Sequence, residues 1–123
     1  MKLTEYLVEE FTFGKYIGGE RGIELADSNG DFPKYGYRVM HHKEWDAAKE
    51  LGFFDPSDTF YQRIHVSAEP KITYRDGNDM HYVVRFNLYP EDGWSAKQSG
   101  EGEVYGVTWE KVPFDRAEII KKL

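Results

Sequence analysis

A pair of carboxylates, one guanidinium and a few imidazole and hydroxyl groups carry the chemistry that this sequence could perform. Glu101-Gly102-Glu103 follows Ser99-Gly100, where a loop should turn into a strand. Residues i and i+2 of an extended chain share a face, so Glu101 and Glu103 would stand side by side about 7 Å apart. Like charges at that range repel, and one of the two then binds a proton more readily. The same triplet also fits a solvated strand entrance. Arg38 lies within Tyr35-Gly36-Tyr37-Arg38-Val39-Met40. Its planar fork of donors can grip a phosphate through two parallel bonds, or pair with a nearby acid. In Ile64-His65-Val66-Ser67 the two polar residues alternate with apolar ones, and Ser67 also fits as a strand-end cap. His41 and His42 are adjacent and should point apart on either a strand or a helix. Neither has a partner at ligand spacing, so no metal site is expected and local hydrogen bonds at a helix start are. There is no phosphate loop ending in Lys-Ser/Thr, no dinucleotide fingerprint after a strand and no nucleophile elbow.

Taken in order, Tyr37-Arg38-Val39-Met40, a Trp-bearing helix, Ile64-His65-Val66-Ser67 and Glu101-Gly102-Glu103-Val104-Tyr105-Gly106 resemble the ADP-ribosyltransferase fold in its Arg-Ser-Glu class, over about residues 35 to 120. The resemblance implies a mono-ADP-ribosyltransferase-like domain that uses NAD as substrate and transfers ADP-ribose to a side chain of a protein acceptor. It gives Arg38 the nucleotide phosphate and Ser67 the nicotinamide ribose. His65 stands where the class has the first serine of Ser-x-Ser. A neighbouring class built on His, Tyr and Glu would make His65 the ribose-binding residue instead. Glu103 would be the catalytic carboxylate, stabilising the oxocarbenium character that develops as the nicotinamide–ribose bond breaks. Glu101 would act on the acceptor, Tyr74 would stack on the nicotinamide ring, and Trp94 would belong to a target-reading loop. That geometry requires Arg38, His65 or Ser67, and Glu103 to come from three strands and line one concave pocket. Guanidinium and carboxylate would then lie on the order of 8 to 14 Å apart.

The elements that must position these residues follow from periodicity. Tyr35–Met40 reads as a strand, with Tyr37 and Val39 on the face opposite Arg38. A helix is expected over 43–51, with Trp45, Ala48 and Leu51 as its apolar face and Gly52 as its left-handed stop. Further strands are expected near 63–67, over 81–88, over 103–109 and over 116–121. In the second of these runs Tyr82, Val84, Phe86 and Leu88 share one face. Pro90 to Gly100 reads as a polar loop carrying Trp94. Residues 1–34 read as an irregular segment with a candidate short helix in 4–13 and a strand crossing it at 22–26; residues 35–121 form the core. Helical crossovers are missing, so the expectation is a single small α+β domain with two small, mainly antiparallel sheets forming a cleft.

Composition sets the bounds. A chain of 123 residues with 40% hydrophobic and 16% aromatic residues has enough apolar surface to fold as one domain. With no cysteine, disulfides, thiol catalysis and thiolate metal sites are excluded. No apolar run approaches the roughly 20 residues of a membrane span, and the first residues lack a signal-peptide pattern, so a cytoplasmic protein that does not act on membranes is expected. The 22 acidic against 16 basic residues give a formal charge of −6. Without a basic patch this disfavours nucleic acid as a partner. The acidity and the surplus of Tyr and Trp also fit a second class of function, a small non-enzymatic interaction protein or inhibitor of viral or mobile-element type with a protein binding partner.

Overall fold

The computed structural model describes residues 18–19, 22–27, 29–59, 62–70, 80–98, 100 and 103–123. In chain order these are β1 (Gly18–Gly19), β2 (Gly22–Glu24), β3 (Tyr35–Met40), α1 (His42–Leu51), β4 (Phe53–Phe54), β5 (Ile64–Val66), β6 (Tyr82–Asn87), β7 (Ser95–Gln98), β8 (Val104–Thr108), β9 (Val112–Pro113) and β10 (Ala117–Lys122). The class is α+β, as expected. A five-stranded sheet runs β1-β2-β7-β8-β5, a three-stranded sheet runs β10-β6-β3, and β4 and β9 form a short ribbon. Every pairing among the described residues is antiparallel.

The two larger sheets meet at one place. Tyr37 and Ser67 exchange both backbone hydrogen bonds, each at 2.8 Å, which joins the free edge of β3 to the end of β5. This close approach leaves no room for a side chain at position 36 of β3. A Cβ on Gly36 would stand 2.5 Å from Val66 Cγ2 and 2.8 Å from Val66 Cβ, and one on Gly106 would stand 3.0 Å from the same methyl. Val66 is fully buried between them.

The inner faces close on a single core. Met40 from β3, Val84 and Phe86 from β6, Ile64 and Val66 from β5, and Ala96 from β7 are all buried in it, together with Leu25 and Trp94. The alternation read across β6 is therefore correct. Helix α1 covers one side. His41 caps its first turn by accepting from the Lys43 backbone amide at 3.1 Å, and Gly52 closes it at φ 85° with its amide on Ala48 O. Trp45 packs on Phe114 with ring centroids 4.7 Å apart, and Phe54 on Phe86 at 5.0 Å.

Three expectations need correcting. Leu51 is 52% exposed and not part of the apolar face. At about 100° per residue, a spacing of three drifts, leaving Leu51 about 120° from Trp45. Trp94 is 6% exposed and packs edge-on against Phe86, so it is a core residue and reads no target. The stretch taken as a polar loop around it contains β7, whose short polar run hides the period. The strand expected at 22–26 forms as Gly22–Glu24 and pairs with β7, so the larger sheet includes part of the segment 1–34. The candidate helix in 4–13 lies outside the described residues.

The crossing makes a direct prediction. Gly36→Ala should destabilise the fold by about 2 kcal/mol, because an added methyl overpacks a site with no slack. Gly100→Ala, whose Cβ would meet nothing within 4 Å, should stay within about 0.5 kcal/mol of the parent. Urea unfolding of the two variants checks both values.

Candidate functional site

Strand pairing decides which way Arg38 points. Its partner across the ladder is Val84, while Gly36 opposes Phe86 and Met40 opposes Tyr82. Arg38 therefore lies on the inner face of β3, at the margin of the core and beneath the first turn of α1. Tyr37 and Val39 occupy the outer face, as the alternation requires.

Beneath α1 the guanidinium meets Glu44. Arg38 Nη2 donates to Glu44 Oε1 at 2.6 Å and Nε donates to Oε2 at 2.9 Å. This is the bidentate geometry that a phosphate would otherwise occupy. The side chains are 11% and 22% exposed, so water screens the pair only in part. The remaining nitrogen, Nη1, lies 3.3 Å from His65 Nδ1 and 3.4 Å from the His65 carbonyl oxygen.

His65 thus sits in a positive environment. The residue is exposed along one edge, yet enough protein surrounds the ring to desolvate its charged form. That desolvation, reinforced by the charges of Arg38 and Arg63, lowers its pKa from the ordinary 6.5 to about 4, against a smaller opposing pull from Glu44. Tyr105 from β8 stands edge-on to the ring, with centroids 6.2 Å apart. Ser67 is held through its backbone pairing with Tyr37. Glu103 is exposed just before β8. Continuing the register Val66↔Gly106 sets Tyr105 opposite Ser67 and Glu103 two residues farther along. Glu101 and Tyr74 lie outside the described residues.

A cavity of about 580 Å³ opens between α1, β3 and β4. Its lining includes the apolar Met40, Ala47, Phe53, Phe54, Ile64 and Met80 together with Arg38, His41, Lys43, Glu44, Asp55, Asp58 and Thr59. Of the residues expected to share one pocket, Arg38 lines this cavity, whereas His65, Ser67 and Glu103 do not. Arg38 and His65 are brought together.

Sequence reasoning missed two partners. Glu44 was read only as a polar helix residue, although the apolar Met40 two places from Arg38 signals that this face of the strand turns inward. His81 was missed entirely. It brings a third imidazole against His41 and His42, with ring centroids 4.4 and 4.6 Å away. No periodicity links positions so far apart in the chain. No family model, curated protein sequence or solved structure matches this chain.

The depressed His65 pKa sets a pH dependence. In the folded chain His65 stays neutral down to about pH 4, whereas in the unfolded chain it takes up a proton near 6.5. Between those values the unfolded state binds more protons, so stability is full above about pH 6.5, falls as the pH drops toward 4 and levels below it. Urea unfolding midpoints recorded across this window should decline less in His65→Gln than in the parent chain.

Proposed function

We propose that this chain works as a small-molecule binding domain, its ligand held in the cavity under α1, without ADP-ribosyl transfer. One observation carries the reading. The guanidinium that the transferase resemblance assigns to a nucleotide phosphate already holds a carboxylate through the same two donors, Nε and Nη2. A phosphate would have to displace Glu44 and leave that carboxylate, 22% exposed, without its counter-charge.

The cavity itself favours a ligand of different chemistry. About 580 Å³ falls within the range of small-molecule sites, and apolar residues line it beside seven polar or charged ones, Lys43, Asp55, Asp58 and Thr59 among them. A molecule with an apolar body and polar substituents fits that arrangement. The competing reading, an acidic protein-binding surface, draws on the exposed Tyr35, Tyr89 and Trp109. Each of these rings, however, already has a cation over its face: Arg85 on Tyr35, Arg116 on Tyr89 and Lys97 on Trp109. The cavity is the better supported site.

Two measurements test the proposal together. A neutral aromatic probe such as 2-naphthol should shift the backbone amide resonances of Ala47, Phe53 and Phe54 saturably, and Ala47→Trp should abolish the response while the circular dichroism spectrum is kept. Millimolar NAD should leave the melting temperature unchanged. Labelling of a lysate from labelled NAD that disappears in Glu103→Gln would overturn the proposal in favour of the transferase, and naphthol binding untouched by Ala47→Trp would remove the cavity as the site.

A further inference from the structure

We infer that His41, His42 and His81 form a binding site for a divalent transition-metal ion of the zinc type. His41 also lines the cavity of the proposed function, but the metal site does not require a ligand there. One ring nitrogen from each of the three residues lies within 4.8 Å of those of the other two, and all three side chains are partly open to solvent. Zinc–nitrogen bonds of about 2.0–2.1 Å in tetrahedral geometry place neighbouring nitrogens about 3.4 Å apart. The rings must therefore close by about 1.4 Å, a movement that torsions of half-exposed side chains supply.

The backbone holds this arrangement in place. His41 and His42 are successive residues at the start of α1, and His81 immediately precedes β6. The His81 amide donates to Met40 O at 3.1 Å, which ties the third ring to the end of β3. In the metal-free chain the His42 amide also donates to His81 Nδ1 at 3.1 Å, a contact that draws the rings together and opens when a metal is bound. These contacts bring together three borderline-soft nitrogen donors, the set that suits zinc, nickel, cobalt and copper and not calcium or magnesium.

The surroundings fit the same chemistry. His42 Nδ1 lies 3.3 Å from Asp46 Oδ2 one turn along the helix. A carboxylate in that position holds the proton on Nδ1, leaving the Nε2 lone pair for a metal. The Asp46 carboxylate offsets the opposition of the helix dipole's positive end to a bound cation. His41 and His81 each accept a backbone amide at Nδ1, so their ring proton is on Nε2 when no metal is bound. Ligation through Nε2 moves that proton to Nδ1. The two amides then take water as acceptor, and no net proton is released. Three protein nitrogens leave a fourth coordination position for water.

The test uses the full chain without a histidine tag, stripped with chelator and titrated calorimetrically with zinc chloride. One equivalent should bind saturably, while calcium and magnesium chloride give no heat of binding. His81→Gln should weaken zinc binding by at least about 100-fold and Asp46→Asn by about 10-fold, with circular dichroism checking that both variants fold. Nitrogen-15 correlation spectra of the side chains should show the His41 and His81 protons moving from Nε2 to Nδ1 as zinc is added. Binding that persists unchanged in His81→Gln, or no saturable binding by the parent chain, would overturn the inference.

Discussion

The fold depends on how closely β3 can approach β5. Val66 is wedged between two strands at positions where both neighbours are glycine, Gly36 and Gly106, and its methyls occupy the space that any larger residue would need. That wedge lets Tyr37 and Ser67 exchange backbone hydrogen bonds, so two separate antiparallel sheets share one edge and enclose a common core. A β-branched residue at this point suits the task, because its stiff side chain fills the gap without needing rotamer freedom.

The position of Arg38 follows from that crossing. Strand β3 must turn Gly36 and Met40 inward to meet Val66 and the core, and a period of two then carries Arg38 to the same side. A charged group at the margin of a core is unfavourable unless paired. Helix α1 supplies the pair through Glu44, where a carboxylate in the first turn also favours the helix dipole. Thus the residue best suited by type to hold a phosphate is committed to joining the helix to the sheet. The cavity beside this pair lies between α1, β3 and β4.

Much of this architecture is legible in the sequence. Val84, Phe86 and Leu88 announce an inward strand face by simple alternation, and Gly52 marks the end of α1 at the residue where it occurs. The α+β class and antiparallel pairing follow from strands without helical crossovers. What stayed hidden involves contacts across long separations. Nothing local in Ser95–Gln98 marks a central strand, because its stability comes from pairing on both edges with β2 and β8. Glu44 and His81 acquire their partners only when strands and helix pack. The order Arg, Ser, Glu-x-Glu gives residue types and not directions, and direction decides whether a guanidinium faces a ligand or a helix.

The central claim is that Arg38 and Glu44 act as one structural pair. A double-mutant cycle with Arg38→Leu, Glu44→Leu and the combined variant, read by urea unfolding, measures their coupling most directly. A partly buried bidentate pair should give a coupling above about 1.5 kcal/mol, with the double variant more stable than the sum of the single losses implies. A coupling near zero, as for a fully solvated ion pair, would mean that Arg38 is free to bind an anion and would contradict this account.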